Sequence, residues 1–293
     1  MKKKTNFNAT LILCADLHLR EDQPECRTDD YFKAQHEKIK WLYNLKAEKG
    51  NPGVILCAGD IFHKAKVSKR FEIFCMKELP QMYCIPGNHD LPSHSINEIE
   101  NSSIGILEGA GEIEIFKTPL DTIYKFESYG MKIGMIHSLL HRDNPVKVEG
   151  KIISTKAIKI LKDNPDCDII LSGDNHQTFI EEWEGRFLFN PGSMMRMTAA
   201  QIEHEPCVIL FDAKTKDYKY ECFPFVGGEV SRNHIEKKEK HDERMSRFVE
   251  NMNTDFSMDI DFVKNIELFT KKNKQRKPVQ EELFSIIETA GGK

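Results

Sequence analysis

Five short polar clusters, each standing at the end of an apolar run, constrain this 293-residue chain more than any other feature. They are Asp16-Leu17-His18, Gly59-Asp60, Gly87-Asn88-His89-Asp90, His137, and Gly173-Asp174-Asn175-His176. The runs leading into them are ATLILCA (9–15), GVILCA (53–58), MYCIP (82–86), MKIGMIH (131–137) and the start of DIILSGD (168–174). Apolar runs of this length, bounded by turn residues, read as buried strands. Between the first three lie helical stretches, 67–79 and 30–49, the latter with Ile39, Leu42, Tyr43 and Leu45 as its apolar groups. This alternation predicts an α/β domain with a largely parallel sheet. Loops beyond the carboxyl ends of such strands form the site, so five strands can deliver their polar tips to one place.

From residue 112 the pattern changes. EIEIF (112–116), DTIYKFE (121–127) and MKIGMIH (131–137) read as adjacent strands, with a turn at Tyr129-Gly130. A helix is predicted over 154–163, a hairpin over 179–190 turning at Glu184-Gly185, and final strands near 207–212 and 218–223. This half is richer in antiparallel pairs, and two packed sheets flanked by helices accommodate both halves. Gly227-Gly228 is the candidate boundary between a catalytic domain (1–227) and a charged, helical region (228–293).

The clusters supply Asp, Asn and His, a mixed oxygen and nitrogen set suited to Mn²⁺, Fe or Zn²⁺ more than to Ca²⁺. Glycines beside Asp60, Asn88 and Asp174 let the backbone turn tightly there. None of the eight cysteines forms a CxxC pair, so zinc-finger chemistry is excluded and buried free thiols in a reducing cytoplasm are expected. The net charge of -4 does not exclude nucleic acid, which needs only a local basic stripe. The opening MKKKTNFNATLILCAD lacks a small-residue cleavage site and reads as a first strand. No segment approaches a membrane span, and a cytoplasmic protein without membrane contact is expected.

In order and spacing, the clusters resemble the calcineurin-like metallophosphoesterase superfamily, whose pattern is DxH, GD, GNH(D/E), H and GHxH. The resemblance spans roughly 16–176. It implies a four-layer α/β/β/α sandwich of two mixed sheets, holding two divalent metals, Mn²⁺ foremost with Fe, Zn²⁺ or Mg²⁺ as alternatives. Asp16, His18 and His176 would serve one metal, Asn88, His137 and Asp174 the other, with Asp60 bridging. One position departs from the pattern: Asp174 stands where the first histidine of GHxH belongs, adding negative charge and reducing Lewis acidity relative to imidazole.

The resemblance further implies a hydroxide mechanism with the metals roughly 3.5–4 Å apart. His89 would protonate the leaving oxygen, with Asp90 orienting its ring. His63 in GDIFHKAKVS, NPGSMMRM (190–197) and GNHDLPSHS resemble SbcD-type DNA-repair nuclease subunits and their phage relatives, where such a histidine lies near the scissile phosphate. The arginine of the phosphoprotein-phosphatase GDxxDRG motif is missing, with Phe62-His63 in its place. The expected function is a Mn²⁺-dependent DNA nuclease, an exonuclease and in part a single-strand endonuclease. A stand-alone small-nucleotide phosphodiesterase or phosphatase is the alternative, followed by a non-catalytic DNA-end scaffold.

Beyond Gly228, Phe262, Ile266 and Phe269 recur on one helical face. A basic run (Lys271, Lys272, Lys274, Arg276, Lys277) leads to Pro278 and a second stripe of Val279, Leu283, Ile286 and Ile287. Family members dock such a segment onto an SMC-like ATPase, so 255–291 is expected to bind that partner, and a homodimer is also allowed. His36, His94, His141 and His204 read as surface or loop residues.

Overall fold

The computed structural model describes residues 10–48, 53–225, 227–233, 242–247, 262–273 and 276–290. The chain divides into two compact units, 1–231 and 232–293.

In the first unit, β1 (Leu11–Cys14), β2 (Val54–Cys57), β3 (Met82–Cys84) and β4 (Ile113–Ile115) lie parallel in that order. α1 (Tyr31–Glu48), α2 (Lys69–Glu78) and α3 (Ser103–Gly109) lie between them in sequence. A second sheet is formed from β5 (Tyr124–Ser128), β6 (Met131–His137), β11 (Ile169–Gly173), β12 (Phe179–Trp183) and β13 (Arg186–Asn190), in the order β12-β13-β11-β6-β5. Two short ribbons, β7 (Leu140–His141) with β10 (Thr155–Lys156) and β8 (Lys147–Val148) with β9 (Lys151–Ile152), precede α4 (Ala157–Asp163). The last strands, β14 (Cys207–Phe211) and β15 (Tyr218–Cys222), return to the first sheet, where β14 pairs antiparallel with β1.

Both faces of β1 are covered, which explains why its sequence is a continuous apolar run. Ile12 and Cys14 face a core shared with α1 and α2 residues such as Leu42 and Phe71. Leu11 and Leu13 face a second core between the sheets, with Ile133, Leu171 and Phe189. A third core joins Leu161 of α4 to Ile170 and Leu188 on the far side of the second sheet. Helix, sheet, sheet and helix therefore stack as the sequence pattern predicts. Fully burying a side chain such as Leu13 contributes roughly 1.5–3 kcal/mol, and Leu13→Ala costs roughly 2–5 kcal/mol once its cavity is included.

Three details differ from the sequence pattern. EIEIF is not beside the next two strands: β4 pairs with β3, because Ile113 and Ile115 pack under the helices of the first sheet. Tyr43 is exposed, and Gln35 and Lys38 share the buried face of α1 with Ile39, Leu42 and Leu45 instead. The first unit also continues past Gly227-Gly228, since Glu229 ion-pairs with buried Arg27 at 2.9 Å and Val230 forms a backbone bridge with Arg27. The expected turns at Tyr129-Gly130 and Glu184-Gly185 are present, all four residues having positive φ, which matches the twist of a two-residue hairpin. All eight cysteines are free thiols, and only Cys222 among them is exposed.

The second unit contains helices Phe262–Lys272 and Lys277–Ala290. Ile266 and Phe269 are buried, while Leu268, Val279 and Ile286 are exposed. Residues 236–241 of the charge-rich stretch, 255–261 and Lys274, with the side chains of Phe262, Lys271 and Ile287, lie outside the described residues. Among the described residues no helix is long and apolar enough to cross a membrane.

Candidate metal centre

The carboxyl ends of β1, β2, β3, β6 and β11 converge, and the seven expected ligands come with them. The backbone is bent to achieve it. Asp16, His18, Asp60 and Asp174 all have positive φ, from 44° to 81°, a region that non-glycine residues occupy at a cost and chiefly at functional sites. Hydrogen bonds between neighbouring strand ends hold these residues there: Asp16 N–H donates to Gly59 C=O at 3.0 Å and His18 N–H to Asp60 C=O at 2.9 Å. The Asp174 N–H donates to both Asp16 carboxylate oxygens, at 3.0 and 3.1 Å. Gly87 has no room for a side chain, since a Cβ there would overlap the Asp60 carboxylate.

Two half-sites emerge. In the first, Asp16, His18 and His176 place one donor atom each within 4.8 Å of one another, and the His18 and His176 Nε2 atoms are 2.9 Å apart. In the second, His137 Nε2 lies 2.9 Å from Asn88 Oδ1 and 3.8 Å from Asp174 Oδ1. His137 Nδ1–H donates to Ala58 C=O at 2.7 Å, which fixes the tautomer that turns Nε2 toward the cluster. Asp60 stands between. Its Oδ2 is 3.5 Å from His18 Nε2 and 3.4 Å from His137 Nε2, and it is buried without a hydrogen-bond partner among the described residues.

These donors fit divalent metals. A metal bound at about 2.0–2.2 Å holds its ligands about 2.9–3.5 Å apart, the spacing seen here. Three carboxylates gathered in one partly buried cluster also call for positive charge. In the protein alone, protons supply it. Burial, with the Asp60 charge, pushes the Asp16 carboxyl up to about 8. Burial works against a charged His137, but Asp60, Asp16 and Asp174 outweigh it and raise its pKa to about 10. Burial of His18 and His176 lowers both, His176 to about 4, so these imidazoles are neutral and ready to ligate.

Behind the first half-site, the NPGSMMRM segment is a buttress. Ser193 N–H donates to His176 C=O and Met194 N–H to Asp16 C=O, each at 3.1 Å. Lys38, 1% exposed, donates to Met194 C=O at 2.8 Å. The Asn190 amide donates to the carbonyls of Asn175 and Gln177 at 2.6 and 2.7 Å, shaping the loop that carries Asp174 and His176.

His89 touches the cluster edge-on, its ring centroid 4.9 Å from that of His18, and stacks on His63 at 5.3 Å. Its Nδ1–H donates to the His63 carbonyl at 2.8 Å, leaving Nε2 for a substrate. Asp90 does not orient that ring, contrary to expectation. Fully buried, its carboxylate accepts from the backbone N–H groups of Ile61, Phe62 and Gly87 at 3.2, 2.9 and 3.0 Å, tying the Asp60 loop to the Asn88 loop. It is a positioning residue. His63 is half-buried, its pKa lowered to about 4 by burial and then by Arg20, and it lines a small hollow with Arg20, Lys64 and Lys66.

Sequence reasoning missed several neighbours. His204 lies in the loop before β14, as expected, but is half-buried and bonds Ser193 C=O through Nε2 at 2.8 Å. Arg20, Lys38 and Asn190 were equally silent, although the asparagine and proline of NPG marked a turn. His36 pairs with Glu78 at 2.8 Å, His141 with Ser154 Oγ at 2.8 Å, and His94 is exposed.

The fold and site define a metallophosphoesterase. The sequence profile of the calcineurin-like phosphoesterase superfamily domain matches residues 10–216, and the chain belongs to that superfamily. Similar solved structures include an archaeal phosphodiesterase (14% identity, 73% of this chain and 99% of that one, TM-score 0.45). Zinc-complexed Vps29 from Entamoeba histolytica (13%, 72% and 97%, 0.38) and a Staphylococcus aureus protein described as a 5'-nucleotidase (11%, 75% and 54%, 0.42) are also similar. No curated protein sequence matches the chain.

Proposed function

We propose that this chain is a Mn²⁺-dependent phosphodiesterase acting on DNA, an exonuclease with some single-strand endonuclease activity. The observation that carries the reading is the shared Asp60 Oδ2, unpartnered and nearly equidistant from the two half-sites. Divalent cations held there would supply Lewis acidity, drawing charge from a phosphoester and acidifying water enough to attack at neutral pH. The residues do the rest. Asp16, His18 and His176 on one side, and Asn88, His137 and Asp174 on the other, would hold the cations that the reacting phosphate needs as counter-charge. His89, its Nδ1–H fixed on the His63 carbonyl, presents Nε2 to the leaving oxygen and delivers a proton there. Lys64 and Lys66 beside His63 supply positive charge for a phosphate backbone, while Arg20 there is paired with Asp22 and Glu21 also lines the hollow.

A small nucleotide ester is the second reading, favoured by the larger hollow on the His176 side, whose lining holds no Lys or Arg among the described residues. Purified protein with Mn²⁺, offered end-labelled duplex, single-stranded DNA and a chromogenic phosphodiester, separates the two. Release of nucleotides from DNA ends supports the nuclease, and cleavage of only the small ester reverses the ranking. The further proposal that 255–291 docks an SMC-like ATPase is tested by co-purification, and survival of the complex after deletion of that segment overturns it.

A further inference from the structure

The metal cluster is flanked by two unlike hollows. On the His63 side the lining has three cations, Arg20, Lys64 and Lys66, against Glu21 and Asp22, the latter paired with Arg20. On the other side, a cavity of about 750 Å³ begins at Asp174 and His176 and runs out to β15. Its size matches small-molecule sites, commonly about 300–1,000 Å³. It has no cation to receive a second phosphate, and Glu203 and Glu205 at its rim repel one. Most of its floor is internally satisfied: Asn175, Thr178, Gln201 and His204 all bond within the chain. Gln177, Glu203, Glu205 and Tyr220 carry no side-chain hydrogen bond among the described residues, so their polar groups are available to an occupant.

We propose that this cavity seats the nucleobase attached to the reacting phosphate, one bearing an exocyclic amine (adenine, cytosine or guanine, but not thymine). The inference rests on the phosphodiesterase reading and names the substrate group next to the scissile bond. Tyr220 offers a flat face about half exposed, and base–aromatic stacking tolerates any base. The carboxylates of Glu203 and Glu205 accept from an exocyclic amino group, which thymine lacks, its single ring N3–H being the one donor it offers. A basic cavity would favour the carbonyl edge of thymine instead. The phosphate-bearing remainder of a strand would then lie toward Arg20, Lys64 and Lys66, so that one terminal nucleotide occupies the cavity at a time.

The test uses the Mn²⁺-loaded full chain and p-nitrophenyl 5'-esters of dAMP, dCMP and dTMP, with bis(p-nitrophenyl) phosphate and p-nitrophenyl phosphorylcholine. The dAMP and dCMP esters should exceed the dTMP ester in kcat/KM by on the order of tenfold, mainly through KM. Ala200, exposed at the cavity wall, gives a blocking variant. Ala200→Trp should collapse the ratio of nucleotide ester to bis(p-nitrophenyl) phosphate by about the same factor. Glu203→Gln with Glu205→Gln should shift preference toward the dTMP ester. Equal kcat/KM for all nucleotide esters, with bis(p-nitrophenyl) phosphate still cleaved, overturns the cavity assignment and leaves the phosphodiesterase reading standing. Preference for the choline ester also overturns it, in favour of a cationic headgroup. If no ester is cleaved, the phosphodiesterase reading fails, and calorimetry with dAMP against inorganic phosphate decides: tighter dAMP binding lost in Ala200→Trp supports the cavity, and equal binding rejects it.

Discussion

The two half-sites share Asp60 but are built from different chemistry. The first has two neutral imidazoles and Asp16, with His176 and Asp16 backed by the buried 190–197 segment. The second has an amide, a carboxylate and a single imidazole that holds a proton in the metal-free protein. Nitrogen-rich sites hold borderline metals such as Zn²⁺ well, whereas oxygen-rich ones suit Mn²⁺ or Mg²⁺. The pair is therefore asymmetric, with a tighter first half and a harder, more exchangeable second half. The proposed acid lies on the side of the first, where His89 packs on His18.

The largest expected effect tests that last placement. His89→Ala should leave both half-sites intact, because none of the seven ligands is altered. Turnover of a phosphodiester should fall by roughly two to four orders of magnitude, the usual contribution of general acid catalysis. Normal kcat with full metal content, read by elemental analysis and steady-state kinetics, removes His89 from the chemistry. The loss should shrink for substrates with a leaving group of low pKa, such as p-nitrophenolate, which needs little protonation.

Next comes Asp174→His, which gives the second half-site a second imidazole. Competition titrations should show its preference for Zn²⁺ over Mn²⁺ rising, by roughly ten- to a hundredfold if the change is as large as those seen on altering a ligand's partners. An unchanged selectivity would mean that Asp174 only hydrogen-bonds near the metal.

Much of this asymmetry was legible in the residues themselves. Every ligand type, and the oddity of Asp174, stands at a strand end in the sequence, and buried strands announce themselves as apolar runs. The bridging role expected of Asp60 comes from the family resemblance and not from the order of the clusters. What could not be read depended on which backbone lies beside which. Asp90 looks like a partner for His89 because they are adjacent in sequence, but its carboxylate is spent on three amides of two other loops. His204 does stand in a loop, but its place beside Ser193 depends on β14 returning next to β1. The cavity beyond His176 has no sequence signature, being assembled from β15 and three loops.

Proton release gives a third test. Metal ligation requires deprotonated side chains, so loading must displace protons from groups that hold them. With Asp16 raised to about 8 and His137 to about 10, these two groups should yield about two protons at pH 7 and about one near pH 9. Calorimetric Mn²⁺ titrations in buffers of different ionisation enthalpy measure the number at each pH. In His137→Ala the proton held by that imidazole is absent while Asp16 stays protonated at pH 7, so release at pH 7 should fall by about one proton. A number that does not change between the two pH values would contradict the charge balance drawn for the metal-free cluster.

The smallest effect lies behind the first half-site, at Lys38. Burial is the main cause that holds its ammonium down to about 8, Glu229 opposing and Arg27 adding to the shift. Below pH 8 the lysine is charged in both folded and unfolded chains, and folding bears the desolvation. Between pH 8 and the unfolded value near 10.5 the unfolded chain binds more protons, so stability contributed by this group rises with pH and is lost as pH falls back through 8. Lys38→Met removes that dependence together with the bond to Met194 C=O. Thermal melts of the two proteins at pH 7 and pH 9.5 should show the wild type gaining on the variant by a few degrees at the higher pH, roughly the shift expected for about 1–2 kcal/mol in a domain of this size. A difference in Tm independent of pH would mean that the ammonium is not strained, and the buttress behind Asp16 would then rest on the Ser193 and Met194 amides alone.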